Sequence, residues 1–320
     1  INLYPAIPGP SDIAATGRGT AGAAGRNWNP AGHAAIDAVK AGNDMLLLPS
    51  DLDGAYRGLL AAVRSGELTQ ARIDQSVRRI LEAKASVGLD RARLVDLDQV
   101  SYLVSKQQDM EFAQQVADDA LTVVRDNGQV FPIAKLPPPP DVKEFEFGRA
   151  PVQPGVNVVA IVMSDNAHGG PGRGFVSALK ARRADATVFY VDSSLATPLA
   201  APIVQAVKDA GKVVVAVYLS PVAGKQVMVD GKLVNTVGLE PASENLLRQI
   251  LDAAAPKTAV FAMGNPYVAQ QFPDVKNYVC TFSGAYSSEQ SAVKFLFGEL
   301  KPRGKLPVSL PGIAARGAGK

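Results

Sequence analysis

Two polar side chains follow a short apolar segment near the start of the chain. Ser50 and Asp51 come after residues 45–48, and Pro49 separates them from that run. The run is too short for a helix and has no polar alternation, which predicts a strand buried on both faces. Polar groups in the loop after such a strand face the active-site mouth of a parallel α/β barrel. Because Ser and Asp are also favoured helix caps, substrate binding and capping both stay open.

A glycine-rich loop holds a second pair of candidate residues. His168 and Arg173 lie within residues 165–174, after the apolar run 156–163. Ligands of open α/β sheets bind beyond the carboxyl ends of the strands, so these side chains could contact a substrate; a solvated loop is the alternative. The loop lacks the Gly-Lys-Ser/Thr of a phosphate loop and the Gly-x-Gly-x-x-Gly dinucleotide pattern. We therefore predict no cofactor.

Composition narrows the classes of protein further. The chain has 320 residues, of which 47% are apolar, and a net charge of +3. Scattered Lys and Arg residues argue against a nucleic-acid partner. No apolar run approaches the roughly 20 residues that a membrane-spanning helix needs, so we predict no membrane span. His, Cys and paired carboxylates do not cluster, and no metal site is predicted.

The elements around Ser50 and Asp51 are predicted to be helical. Residues 55–63 show helical spacing, and Thr69 is a candidate N-cap for a second helix, which ends near Gly88. The apolar face of that second helix comprises Ile73, Val77, Ile80, Leu81 and Val87.

The second part of the chain alternates strands and helices. Residues 120–133 predict a strand, a turn at residues 126–128 and a second short strand, and a four-proline tract follows at residues 137–140. Five apolar runs with helices between them then predict a doubly wound sheet. These runs are residues 156–163, 187–191, 213–219, 258–263 and 278–282, and residues 306–310 predict a terminal edge strand.

Four segments resemble glycoside hydrolase family 3 in the same order. Residues 41–89 resemble the end of its catalytic barrel, 120–133 the start of its second domain, 264–267 a turn after a sheet strand, and 298–312 its closing segment. The resemblance implies an α/β protein: the C-terminal part of a TIM-type (β/α)8 barrel, followed by an open doubly wound α/β sandwich. We place the end of the barrel at residues 1–95, a linker with a helix and a short hairpin at 96–154, and the sandwich at 155–320.

The resemblance implies that the catalytic nucleophile lies outside this chain. Retaining hydrolysis uses a carboxylate nucleophile and a proton donor. In this family the nucleophile is an Asp after a barrel strand, and residues 1–7 resemble the tail of that motif, which implies a position upstream of Ile1. Asp12 is the fallback within the chain, but Pro8 and Pro10 precede it where the family has a buried strand, so an Asp in a turn is the alternative.

The proton donor distinguishes the branches of the family. In the β-glucosidase branch, a Glu follows a strand like residues 213–219, whereas here no Glu occurs before Glu240. In the N-acetylglucosaminidase branch the donor is a His on an upstream barrel loop. The resemblance therefore favours an exo-acting enzyme for terminal β-linked N-acetylglucosamine. Glu240 stays a fallback acid or a helix-terminal residue that the helix dipole favours.

Other functions stay open. A β-glucosidase or β-xylosidase of the same family is one alternative, and a non-catalytic sugar-binding or regulatory α/β module is another. The expected partners are a carbohydrate substrate and the missing N-terminal barrel portion of the same enzyme. The signal region would lie upstream of this chain, so localisation is unknown, with a slight preference for a periplasmic or secreted protein.

Overall fold

The computed structural model describes residues 30–104, 106–128, 130–133, 157–166, 168–219, 226–229, 232–235 and 238–320. Asp12 and the four-proline tract lie outside these residues. The chain divides into two compact units, residues 1–101 and 102–320. None of the helices in the ranges above combines the length and apolar character needed to cross a bilayer.

The first unit is helical in its described part. Its helices are α1 (Pro30–Lys40), α2 (Leu52–Arg64), α3 (Gln70–Ser86) and α4 (Leu97–Leu103), which extends two residues into the second unit. A small core of Ile36, Val39, Ala62 and Leu68 joins α1 to α2 and the segment that follows it. Thr69 caps α3 by accepting a hydrogen bond from the backbone N–H of Arg72, as predicted.

A partly exposed carboxylate network fixes the start of the segment between α1 and α2. Asp44 accepts hydrogen bonds from Arg72 Nη1 at 3.1 Å, Ser76 Oγ at 2.8 Å and Arg79 Nη1 at 2.9 Å. The hydrogen bond from Arg79, followed by that from Ser76, lowers the pKa of Asp44 below its ordinary value. Hydrogen bonds to a charged group therefore attach this segment to α3.

The predicted strand at residues 45–48 is not formed. Leu47 and Leu48 are 86% and 88% exposed, and Leu48 has a left-handed φ of 50°. A strand requires hydrogen bonds to a neighbour, and no strand in the described part of this unit lies beside it. The apolar face predicted for α3 is partly uncovered: Ile73 packs against the small core, whereas Val77, Leu81 and Val87 are exposed.

The second unit is built on a six-stranded sheet with the order β1-β8-β7-β4-β2-β3. Pairing is parallel except for β1, which runs antiparallel to β8. Its strands are β1 (Thr122–Arg125), β2 (Val158–Ser164), β3 (Thr187–Val191), β4 (Lys212–Leu219), β7 (Thr258–Gly264) and β8 (Tyr278–Cys280). A separate hairpin pairs β5 (Gln226–Val229) with β6 (Lys232–Asn235). All five predicted apolar runs form strands of the sheet.

Helices cover both faces of this sheet, which confirms the doubly wound α/β arrangement. Alternate residues of β2 and β4 belong to two different cores, one on each face. One core contains side chains of α6 (Arg173–Arg182) and α10 (Tyr286–Leu296), and α5 (Gln107–Ala120) packs against α10. The opposite core contains side chains of α7 (Ser193–Ala196), α8 (Ala200–Asp209) and α9 (Pro241–Ala254).

The second strand of the hairpin predicted within residues 120–133 and the edge strand predicted at residues 306–310 are not strands of the sheet. β1 pairs with β8 instead of forming a hairpin, and Val130 and Ile133 are buried beside it in the core. The segment 306–310 makes a single β-bridge, from Leu310 to Ala314, because Pro307 has no N–H for a sheet ladder. The same C-terminal segment runs along β1: Gly304 N donates to Leu121 O at 3.1 Å, and Lys320 N donates to Val123 O at 3.0 Å.

We predict that Asp118→Asn destabilises the second unit by about 1–2 kcal/mol near neutral pH. Asp118 joins α5 to α10 through hydrogen bonds from Ser291 Oγ at 2.6 Å and Lys294 Nζ at 2.9 Å. Burial acts to raise the pKa of Asp118, but these bonds and one from Gln114 outweigh it, and the net pKa is lowered.

A lowered carboxyl pKa stabilises the fold above the ordinary pKa, and this stabilisation is lost as the pH falls through the folded-state value. The difference between wild type and Asp118→Asn in urea unfolding should therefore shrink as the pH falls below 3.8, the ordinary pKa. Asp119→Asn is the control, because Asp119 is more exposed and pairs with Arg303 at 3.7 Å. Equal effects of the two substitutions would contradict the prediction.

Candidate functional site

The carboxyl ends of β2 and β4 form the crevice in which a doubly wound sheet binds its ligand. Within the sheet, β3 lies on one side of β2. The next strand of this sheet along the chain, β4, lies on the other side of β2. The helices that follow β2 and β4, α6 and α9, cover opposite faces of the sheet, and the strand ends between such helices are the usual place for a ligand in these folds. Ser164 and Tyr218 are the paired residues at the two strand ends.

The carboxylate of Glu289 fills this crevice. Glu289 lies on α10 and is 5% exposed. Its Oε1 accepts hydrogen bonds from the backbone N–H of Gly172 at 3.0 Å and from the Tyr218 hydroxyl at 2.7 Å, and its Oε2 accepts one from the backbone N–H of Phe175 at 3.1 Å. Two of the three donors belong to the N-terminal turn of α6, where backbone N–H groups and the helix dipole favour an anion.

Two glycines make room for the carboxylate. A Cβ on Gly174 would overlap Glu289 Oε2. Gly172 has a φ of +79°, and a Cβ there would lie 2.6 Å from Val162 Cγ1. Any larger residue at either position would push α6 away from the strands or from Glu289. The internal carboxylate and close packing on β2 therefore explain the glycines at positions 174 and 172.

The charge of Glu289 also affects its neighbour Tyr218. Burial, followed by the negative charge of Glu289 and the hydrogen bond to it, raises the pKa of the Tyr218 phenol far above its ordinary value. The phenol therefore remains protonated and acts as a hydrogen-bond donor. A carboxylate that is already bound by three donors is poorly placed to accept a proton from a substrate, so this arrangement is suited to holding structure together.

The loop after β8 carries backbone strain at the same edge of the sheet. Phe282 has a left-handed φ of 58°, which costs about 1–3 kcal/mol for a residue with a side chain. Thr281, 3% exposed, donates a hydrogen bond from its Oγ1 to Ser283 O at 2.8 Å and so helps to hold this turn. Within the described residues no three His, Cys, Asp or Glu side chains are close enough to share a metal ion.

The residues predicted from sequence to bind a substrate fall into the two different units. In the first unit, Asp51 caps α2 by accepting a hydrogen bond from Gly54 N at 2.9 Å, while Ser50 is exposed and lines a groove of about 320 Å³ with Met45 and Leu47. The cap is the alternative that the sequence left open for Asp51. Capping and substrate binding by the same carboxylate are compatible, so contact of Asp51 with a substrate stays a prediction.

His168 and Arg173 belong to the second unit and are both exposed. The backbone N–H of His168 donates to Asn166 Oδ1 at 2.9 Å, and Arg173 begins α6, between the two backbone donors to Glu289. Glu240, the fallback acid, is the N-cap residue of α9, but its side chain accepts no capping hydrogen bond from the helix. Contact of any of these side chains with a substrate stays a prediction.

Sequence reasoning missed Glu289, although a signal was present. The buried face of α10 contains Ala292, Val293 and Leu296, at positions three, four and seven after Glu289. An acidic residue in register with such a stripe must be buried and therefore needs partners. Its partners could not be identified because Gly172 and Tyr218 are 117 and 71 residues away in the chain.

Two family models match this chain. The model described as the glycosyl hydrolase family 3 C-terminal domain matches residues 148–316, which is more than half of the chain. The model described as the glycosyl hydrolase family 3 N terminal domain matches residues 21–83. The two matches follow the order of the two units.

Individual relatives are longer than this chain. A beta-N-acetylglucosaminidase/beta-glucosidase of Cellulomonas fimi is 29% identical over 133 residues, 41% of this chain and 24% of the relative. A lysosomal beta glucosidase of Dictyostelium discoideum is 23% identical over 308 residues, 87% of this chain and 35% of the relative. The chain therefore spans between a quarter and about a third of the length of these curated relatives.

Solved structures share the fold. A glycoside hydrolase family 3 beta-N-acetylglucosaminidase from Paenibacillus sp. str. FPU-7 aligns with a TM-score of 0.60 at 21% identity, over 88% of this chain and 48% of that chain. At this identity the likeness concerns the fold alone.

We predict that Tyr218→Phe lowers the free energy of unfolding by about 2 kcal/mol, because it removes a buried hydrogen bond to a carboxylate. Urea unfolding measures the loss. Tyr190→Phe on β3 of the same sheet is the control, since the Tyr190 hydroxyl is not one of the three donors that bind Glu289. Losses of equal size in the two variants would argue against a special role for the Tyr218 bond.

Proposed function

Because the chain belongs to glycoside hydrolase family 3, we propose that it is the C-terminal portion of a retaining, exo-acting β-glycosidase that hydrolyses terminal β-linked N-acetylglucosamine. The match of both family models, in the order of the two units, supports the β-glycosidase assignment. The names of the relatives include both N-acetylglucosaminidase and glucosidase activities, so the choice of sugar depends on this chain's own residues.

The segment after β4 is the observation that favours N-acetylglucosamine. The glucosidase branch is expected to place a Glu proton donor there, but this chain continues from Leu219 to Gly238 without a Glu. The first Glu is Glu240 at the N-terminal end of α9, where the helix dipole accounts for it. A donor from the barrel, as in the N-acetylglucosaminidase branch, would supply the missing proton. A β-glucosidase or β-xylosidase remains the second candidate, with Glu240 as its acid.

The remaining barrel is the partner that we propose for the first unit. Many apolar side chains are exposed in this unit. They lie on the segment before α2, on α2 and α3, between α3 and α4, and at the start of α4: Met45, Leu47, Leu48, Leu52, Tyr56, Val77, Leu81, Val87, Leu89, Leu94, Val95 and Leu97. Apolar surface of this extent is typical of an interface. Strands and helices of the same barrel, supplied by upstream polypeptide, would pair with residues 45–48 and cover α3. They would also contribute the nucleophile.

We predict that Leu81→Glu has different effects on the 320-residue chain and on a protein extended by the upstream barrel. Leu81 is 57% exposed on α3, so the substitution should change the stability of the chain alone by less than about 0.5 kcal/mol. In the extended protein it would bury a charge, and the melting temperature should fall. Gln75→Glu, which adds the same charge on the other side of α3, is the control. Equal tolerance of Leu81→Glu in both proteins would contradict the proposed interface.

Hydrolysis of chromogenic substrates tests the proposed function. The extended protein should hydrolyse an aryl β-N-acetylglucosaminide in preference to the aryl β-glucoside, and the 320-residue chain should hydrolyse neither. Preference for the glucoside, lost in Glu240→Gln, would favour the second candidate. Hydrolysis by the 320-residue chain that Asp12→Asn abolishes would place the nucleophile within it. An extended protein that binds sugars without hydrolysis would favour a non-catalytic module.

A further inference from the structure

We propose that Glu289 is a positioning residue: its carboxylate takes the place of a bound anion in the crevice between β2 and β4 and holds the loop that carries His168 and Arg173. The claim that this loop faces a sugar rests on the proposed function. The claim that an internal anion holds the loop rests on the structure of the second unit alone, and it is tested without hydrolysis.

The donors around Glu289 have the arrangement of an anion site. Two backbone N–H groups of the first turn of α6 and one buried phenol converge on the two carboxylate oxygens at 2.7–3.1 Å. Without the carboxylate, these three donors would lose their acceptor, and the loss costs about 1–3 kcal/mol for each buried group. The acceptor comes from α10, so a single side chain joins α10, α6 and β4.

The positions of Gly172 and Phe175 in the chain determine which segment their hydrogen bonds to Glu289 hold in place. Gly172 ends the loop that contains His168, and Phe175 follows Arg173 by two residues. Phe175 is fully buried, and Gly172 packs closely on Val162, so the carboxylate fixes the C-terminal end of the loop against the strand from which it departs. The exposed side chains of His168 and Arg173 are thereby held at the carboxyl edge of the sheet while the buried side of the loop is anchored.

A small carboxylate should replace the missing side chain. Glu289→Ala in the 320-residue chain leaves a crevice with the same three donors, and we expect a lower melting temperature and faster amide hydrogen exchange in residues 168–175. Formate should restore both, raising the melting temperature by about 3–5 °C for each tenfold increase in concentration above its dissociation constant. Sodium chloride at equal ionic strength should not, because chloride lacks the paired oxygens.

Glu299→Ala is the matched control. Glu299 also contacts α6, through a bidentate ion pair with Arg182 at 2.7 Å, but it does so at the other end of the helix. This variant should respond equally to formate and chloride. Glu289→Gln provides a second test, because its carboxamide fills the crevice but brings an NH₂ group towards donors. Amide hydrogen exchange in residues 168–175 of Glu289→Gln should be faster than in wild type, and formate should not slow it.

Three results would overturn the proposal. The first is a Glu289→Ala variant with wild-type stability and loop exchange. The second is an equal response of that variant to formate and chloride. The third, decisive if Glu289→Ala does not fold, is a folded Glu289→Gln variant whose loop exchanges at the wild-type rate. Because none of these measurements involves a sugar, failure here would leave the glycosidase assignment intact, and absence of hydrolysis would leave the positioning role intact.

Discussion

Parallel pairing of β4 with β2 and β7 is the constraint on which the second unit depends. Parallel strands must be connected by crossovers, so helices cover both faces and the strand interiors become continuously apolar. The same topology brings the ends of β2 and β4 together at an open crevice. A crevice lined by helix N–H groups requires an anion or water, and this chain supplies Glu289 from a helix distant in sequence. The sheet therefore determines where the carboxylate must lie, and the carboxylate in turn fixes the loop above β2.

The two units differ in how far they bury their own apolar surface. In the second unit the large side chains of the sheet are almost entirely buried, whereas in the first unit a core of four buried residues accompanies many exposed leucines and valines. Asp44 and its three partners on α3 nevertheless hold the start of the segment before α2 against that helix. Local electrostatics thus preserves the helical part of this unit, although no strand in its described part pairs with residues 45–48.

The sequence predicted those features whose causes are local. Apolar runs identified five of the six strands of the sheet, and Thr69 identified a helix start, because burial on two faces and capping leave direct marks in the sequence. Residues 130–133 and 306–310 were wrongly predicted as strands, since apolar pattern reports burial and not hydrogen-bond pairing. Glu289 was missed because its meaning depends on Gly172 and Tyr218, which only the fold brings to it. The candidate residues Ser50, Asp51, His168 and Arg173 lie in loops or at helix starts, as expected, and their contact with a substrate stays a prediction.

The C-terminal segment beside β1 has a consequence for solubility. Unpaired backbone groups at the rim of a sheet invite pairing with other molecules. Here the carbonyls of Leu121 and Val123 are occupied by the amides of Gly304 and Lys320. The irregular C-terminal segment therefore blocks the addition of a strand from another molecule at this edge. A regular seventh strand in its place would itself have been an exposed edge strand.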